Sequence, residues 1–360
     1  MSTSTPPPPS QRMHPAWYGA VMGTGVLALT LDAQAGTWSW TWMSRIADVL
    51  LIVASILAVA LLPRYLVRLK SRRSLADELG DVSRGPMLAT LPAGLLILSV
   101  SWGRVGPDFM TNATALWVAS ALLMIGTPVA LALSLAWTSA LTRLQPELES
   151  VNGGWLIPPL INMLVPLALA PLIAANPSSA PLLVYVGGAF LGIGVVLFLA
   201  IFSLLFARLA LRPPTPGVLA PSLWIPLAPA GLIGLATYRL LQSAQQAGVD
   251  GVTSVTAGLI ITAMGIGFGL WWSVFAALEM RRISTAGVTP ANPGWWGFVF
   301  PVGAMALSLT TLGAATDIAA INIGGLIATA ALFVVWARVT WATLRPRRHP
   351  HSAPLPTTSD

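Results

Sequence analysis

Residues 293–303 read Pro-Gly-Trp-Trp-Gly-Phe-Val-Phe-Pro-Val-Gly, a glycine- and proline-marked start that runs straight into an apolar stretch. Working outward, the same kind of start recurs along the chain at intervals of about 70 residues. The other copies are His14-Pro15-Ala16-Trp17 with Gly19, Gly23 and Gly25, then Gly85-Pro86-Met87 with Pro92 and Gly94. Next come Gly154-Trp155 with Pro158, Pro159 and Pro166, and Pro221-Ser222-Leu223-Trp224 with Pro226, Pro229 and Gly231. The copy quoted first adds Pro301 and Gly303; only the second copy lacks a tryptophan. Between successive copies lies one longer apolar run that is mostly free of proline. Each unit therefore crosses a membrane twice and the next begins on the same side, which makes the units parallel repeats about an axis along the membrane normal.

Composition agrees with a polytopic membrane protein: 55% of residues are hydrophobic and 9% charged. Ten spans are expected, at residues 16–31, 46–69, 87–102, 114–141, 155–174, 181–207, 223–242, 255–279, 295–313 and 318–344. Residues 13–345 form the membrane domain. Residues 1–12 and 346–360 read as disordered tails, polar and proline-rich at the N-terminus.

The cations sort by loop. Arg12, Arg64, Arg68, Lys70, Arg72, Arg73, Arg84, Arg143, Arg208, Arg212, Arg281, Arg282, Arg338, Arg345, Arg347 and Arg348 fall on one side. Arg45, Arg104 and Arg239 fall on the other. By the positive-inside rule this places both termini in the cytoplasm. The net charge of +7 thus records topology, and no basic stretch interleaved with aromatics speaks for nucleic acid. With no cysteine there is no disulfide, thiolate metal site or iron–sulfur cluster. His14, His349 and His351 lie at a membrane edge and in the C-terminal tail, so no cofactor and no metal is expected.

The spans that open on a repeat start are the shorter ones and concentrate proline and glycine. A proline inside a helix frees the carbonyl four residues back, and in lipid that group must be met by protein or cavity water. These spans are therefore expected inside, bent around a cavity, with Gly23, Gly25, Pro92, Gly94, Pro159, Pro166, Pro229, Gly231, Pro301 and Gly303 as pore-lining kinks. The alternative is that the glycines serve close helix packing. Trp17, Trp155, Trp224, Trp295 and Trp296 sit where an interfacial aromatic belt is expected.

Two stretches, HPAWYGAVMGTGVLAL at 14–29 and NPGWWGFVFPVGAMALS at 292–308, resemble the tellurite-resistance/dicarboxylate transporter family. That family includes TehA, malate permeases, sulfite exporters and the plant slow anion channels. The resemblance spans residues 13–345 and implies an all-α fold: ten transmembrane helices as five hairpins in a quasi-five-fold ring around a central pore. It further implies inner odd-numbered spans, an outer even-numbered layer and a homotrimer. In the channel members a phenylalanine of the ninth helix plugs the pore, and the corresponding phenylalanine–proline pair is Phe300-Pro301. Phe298 is the rival, on another face of the same helix.

Arg239 is the ionisable group expected within the inner spans, and no carboxylate is expected at mid-membrane depth. That disfavours cation conduction and carboxylate-based coupling. Polar candidates for meeting small inorganic or organic anions are Thr24, Thr90, Ser99, Asn162, Thr237, Ser308 and Thr310, with Arg239 as an anion-vestibule residue. Each hydroxyl can equally bond a carbonyl of its own helix. The inner helices all start at the cytoplasmic face, so dipoles and arginine-rich loops are expected to concentrate anions there. The leading reading is a small-anion channel of the cytoplasmic membrane. A secondary carrier for dicarboxylate, sulfite or tellurite-type oxyanions is the alternative, and a membrane-embedded enzyme finds no constellation to support it.

Because the chain lacks cysteine, single cysteines report topology without background. Ala76→Cys is expected to react with an impermeant maleimide only from the cytoplasm and Gly36→Cys only from outside; labelling of position 76 on intact cells overturns the orientation.

Overall fold

The computed structural model describes residues 13–67, 72–249, 251, 254–286 and 293–345; the two expected tails lie outside the described residues. Among these residues there are helices and no strands. The helices are α1 (Gly19–Trp38), α2 (Thr41–Leu66), α3 (Arg72–Leu79), α4 (Thr90–Arg104), α5 (Asn112–Leu144), α6 (Ile157–Ala175), α7 (Ala180–Leu211), α8 (Leu227–Gln246), α9 (Val255–Ala286), α10 (Trp296–Thr316) and α11 (Ala319–Leu344). The short α3 lies between expected spans and was not foreseen.

Each repeat start becomes the same device, a 3-10 turn feeding an α-helix. The turns are Pro15–Tyr18, Gly85–Ala89, Gly153–Leu156, Gly217–Trp224 and Pro293–Trp295, and they precede α1, α4, α6, α8 and α10. Proline suits this place because the first N–H groups of a helix have no intrahelical acceptor, so nothing is lost by removing one. The same reasoning revises the expected kinks. Pro92, Pro159 and Pro229 each stand third in their helices, within the first turn, and break no helical bond. Interior prolines of the inner helices are Pro166 and Pro171 in α6 and Pro301 in α10.

The two kinds of span form two layers. In the apolar windows of α4, α6, α8 and α10, 67–83% of residues are buried, against 17–33% in α2, α5, α7, α9 and α11. The second group exposes large apolar side chains such as Val59, Trp117, Met124 and Met264, as lipid-facing helices do. Each inner helix packs on the outer helix that follows it: α1 on α2, α4 on α5, α6 on α7, α8 on α9 and α10 on α11. The inner helices also pack on one another, α1 with α4, α4 with α6, α6 with α8, α8 with α10, and α10 with α1.

Among the described residues nine helices are long and apolar enough to cross a membrane, one fewer than the expected ten. The exception is α1, whose last turns contain Asp32 and Gln34 and which runs seven residues beyond its expected end. Those polar groups are tolerated because each is met inside the bundle. Asp32 is ion-paired to Arg104 at 2.9 Å, while Gln34 donates to the hydroxyls of Thr310 and Thr329 and accepts from Trp38 Nε1.

The glycines are close-approach positions. A Cβ at Gly23 would meet Val299, at Gly25 Ile97, at Gly94 Tyr18, at Gly231 the Ala304 carbonyl and at Gly303 Val26, so all five lie between neighbouring inner helices. None lines either cavity described below, which favours the packing alternative over the pore-lining one. The hairpin contacts use the same solution, since a methyl at Gly265 of α9 would overlap the Ala230 carbonyl of α8, whereas two residues on, Gly267 has nothing within 4 Å. Gly265→Ala is expected to lower the thermal stability of the purified protein by several degrees. Gly267→Ala is expected to leave it unchanged or raise it slightly through helix propensity; equal behaviour of the two in a melting assay refutes the assigned contact.

Candidate functional site

Two cavities of similar size lie among the inner helices. The first, about 420 Å3, is lined at the N-terminal ends of these helices by Met22, Thr90, Leu160, Ala228, Phe300 and Pro301 among others. Its walls are mostly apolar and, among the described residues, contain no Arg or Lys; His14, Ser83, Thr90 and Ser222 are the polar members. His14 caps its own turn, accepting from the Ala16 N–H at 3.2 Å. The proline at 301 cannot bond the Gly297 carbonyl, and Gly297 lines this same cavity.

The second cavity, about 400 Å3, lies toward the C-terminal ends and is lined by Val26, Ile97, Leu167, Leu232, Phe300 and Leu307 together with Arg104, Arg239, Gln242, Ser243 and Gln246. Among the described residues Phe300 is the one side chain common to both cavities. It is 3% exposed and belongs to the hydrophobic cluster that includes Met22, Val26, Ile97, Leu160, Ala228 and Ala304. A phenyl ring with apolar neighbours from α1, α4, α6 and α8 thus stands between two hollows. Phe298, two residues earlier, lines neither. It is half-buried and stacked between Trp224 at 4.6 Å and Trp295 at 6.1 Å between ring centres.

The charged groups are the feature that sequence reasoning missed. Besides Arg239, the inner helices bear Asp32 and Arg104, and Arg104 Nε donates to Asp32 Oδ2 across α1 and α4. The missing signal was the true length of the inner helices, because Asp32 and Arg104 fall just past the expected span ends at 31 and 102. Arg239 donates to Gln242 Oε1 at 3.0 Å, and its guanidinium carbon lies 5.7 Å from the centre of the Tyr238 ring. Among the described residues the arginines that line a cavity are Arg104 and Arg239, both in the C-terminal one, where Arg104, the last residue of α4, also offsets the negative end of that helix.

The polar candidates scatter. Thr90 lines the N-terminal cavity while donating to the carbonyls of Pro15 and Met87. Thr24 instead accepts from Trp336 Nε1 of α11, and Thr237 donates to the Ile233 carbonyl one turn back. Ser308 bonds the Gly231 and Ala304 carbonyls, Ser99 the Ala119 carbonyl, and Thr310 the Ala306 carbonyl. Asn162 donates to the Pro158 carbonyl, and its buried Oδ1 has no protein partner. None of these six lines either cavity. Internal packing also claims tryptophans expected at the interface: Trp155 is 1% exposed, donates to the Val82 carbonyl and packs edge-on against Trp137, and Trp296 is buried.

Residues 12–344 match the family described as voltage-dependent anion channel, nearly the whole of the described chain. The chain belongs to the voltage-dependent anion channel family. Known proteins match the chain along most of their lengths. An uncharacterized transporter of Methanocaldococcus jannaschii is 26% identical over 299 residues, 82% of each chain. The sulfite efflux pump SSU1 of Arthroderma otae is 25% identical over 346 residues, 91% of this chain and 88% of the relative. That of Trichophyton rubrum is 26% identical over 324 residues, 83% and 81% respectively. The resemblance drawn from the two sequence stretches is thereby established at the level of the family, whose members are transporters and channels rather than enzymes.

Proposed function

We propose that this protein is a conduit for small anions in the cytoplasmic membrane, with ten crossings, cytoplasmic termini and a pore gated by Phe300. In this reading α1, α4, α6, α8 and α10 close as a quasi-five-fold ring, which is supported by the cycle of pairwise packing among them. The single observation on which the gate rests is that Phe300 borders both cavities. A hydrophobic ring in a narrow passage leaves an ion with neither hydration nor replacement ligands, so conduction requires the ring to move. Prolines and glycines in the inner layer support the same arrangement: the glycines bring helices close, and Pro301 loosens α10 beside the ring. Arg239 and Arg104 serve as the anion-attracting groups of the outer vestibule, while Thr90 is the hydroxyl at the inner one. A homotrimer, each protomer with its own pore, accompanies the family resemblance.

A second reading shares the fold and differs in mechanism: an exporter of sulfite or a similar oxyanion working by alternating access. It is favoured by the fungal relatives, which are sulfite efflux pumps. Proteoliposome flux against chloride, nitrate, sulfite and malate, followed by electrical recording, separates the two, since a channel passes many ions per opening. In the same assay Phe300→Ala is expected to raise basal anion flux several-fold. Phe298→Ala, which removes only a stacked ring between Trp224 and Trp295, is expected to leave flux per folded protein near wild type. Normalisation to folded protein matters because deleting a buried phenylalanine costs about 3–5 kcal/mol. Opening by Phe298→Ala alone refutes the assignment of the gate, and no change in either variant refutes hydrophobic gating and favours the exporter.

A further inference from the structure

Among the described residues the wall of the N-terminal cavity carries no permanent charge, and one of its side chains can acquire a charge near neutral pH. That side chain is His14, since an imidazole ordinarily titrates at about pH 6.5. Its Nδ1 accepts the Ala16 N–H at 3.2 Å, which makes it the side-chain cap of the turn Pro15–Tyr18. A ring nitrogen that accepts a hydrogen bond carries no proton, so this bond belongs to the neutral ring. Protonation turns Nδ1 into a donor and ends the bond. It leaves a cation on a half-buried ring at the edge of an apolar chamber.

Hydroxyls on the same wall can share an anion with that ring. Ser222 is buried and accepts the Gly153 N–H at 3.3 Å, which leaves its own proton without an acceptor among the described residues. Ser83 lines the wall as well, while Thr90 directs its proton at the Pro15 and Met87 carbonyls. The turn that carries His14 packs on α1, α2, α4 and α10 and on the turns Gly85–Ala89 and Pro293–Trp295. At this end those elements and their flanks bring Arg64 and Tyr65 of α2, Arg84 and Asp81 ahead of the second turn, and Glu78 of α3 packed on it. None of the five lines the cavity. The Asp81 carboxylate accepts the Ser83 and Arg84 N–H groups at 2.9 Å, and the Tyr65 and Tyr18 hydroxyls donate to the Leu88 and Ala58 carbonyls. Asp32 of α1 and Arg104 of α4 stand at the opposite ends of their helices.

We propose that His14, with the hydroxyls of Ser83 and Ser222, is a proton-dependent binding site for a small anion in the N-terminal cavity. With the ring neutral, the chamber offers an anion apolar walls and no charge. With the ring protonated, it offers a cation and hydroxyl donors together. Proton and anion therefore bind cooperatively, each strengthening the other. The consequence for transport, that flux rises as this side acidifies, rests on the anion-conduit reading; the mutual strengthening of proton and anion binding does not.

The chain has three histidines, so His349→Asn with His351→Asn leaves His14 as the single imidazole, whose titration NMR can follow in the full-length protein. Replacing gluconate by nitrate at constant ionic strength is expected to raise its midpoint by about 0.3 pH unit or more, which is proton binding at least about two-fold tighter. Ser222→Ala is expected to reduce that rise. In proteoliposomes, flux of nitrate, which does not titrate here, is expected to increase several-fold from about pH 7.5 to about pH 5.5, a window above the ordinary carboxylate range. His14→Asn keeps a capping side chain that cannot titrate and is expected to abolish this pH dependence, while the two tail substitutions leave it in place. A midpoint that nitrate does not move overturns the site, and this measurement decides even if the His14 variants fail to fold. A pH dependence that survives His14→Asn overturns it too. So does His14→Ala that already passes the acid-level flux at about pH 7.5, by showing that release of the turn and not charge admits the anion. A midpoint that shifts in a protein passing no anion upholds the site and overturns the conduit.

Discussion

A backbone amide or carbonyl left unpaired in hydrocarbon costs several kcal/mol, and the gathering of proline at the starts of the inner helices follows from that constraint. Prolines gather where the helix has no bond to lose, in the 3-10 turns and first turns that open α1, α4, α6, α8 and α10. Interior prolines occur in both layers, at Pro166, Pro171 and Pro301 of the inner helices and at Pro63 and Pro128 of the outer α2 and α5. Glycine answers the other half of the problem. Between apolar helices in lipid there is little hydrophobic drive, so close backbone approach supplies the contact, and Gly23, Gly25, Gly94, Gly231 and Gly303 sit at those approaches.

The same constraint governs the polar side chains. Most inner-layer hydroxyls are bonded to carbonyls, their own helix's or a neighbour's, and are thereby withdrawn from any ligand. What reaches the cavities is sparse and unevenly divided: an apolar chamber at the N-terminal ends and one with two arginines at the C-terminal ends. Phe300 stands between them. The C-terminal side of the ring presents charge, whereas the N-terminal side presents mostly apolar walls. This asymmetry of charge resides in the inner layer itself.

Asp32 shows how a polar group changes meaning with context. Near the end of an apolar run it reads as the point where a helix leaves the membrane. In the folded chain α1 continues past it, because Arg104 of α4 supplies the opposite charge and Gln34 finds the hydroxyls of Thr310 and Thr329. The pair is half open, with the Arg104 side chain 58% exposed against 11% for Asp32, so solvent screens it and it contributes little net stability.

The five-fold recurrence of Gly/Pro starts, the alternation of short and long apolar runs and the one-sided loop charge were legible in the sequence because each is a local property, set by backbone chemistry and by the cost of moving charge through lipid. They determined the all-helical membrane class and which spans lie inside, whereas the family came from the resemblance of residues 14–29 and 292–308. Span ends, kinks and side-chain directions were not legible, since each depends on a neighbour distant in the chain. Pro92, Pro159 and Pro229 lose their kinking role once the helix start is known, and Thr24 and Ser308 find partners about 300 and 80 residues away. Phe298 and Phe300 look alike in the sequence, two aromatic residues beside one proline. Only packing of α10 against the other inner helices and the Trp224–Trp295 stack separates them, holding one ring half-buried in an aromatic stack and the other buried where it borders two cavities.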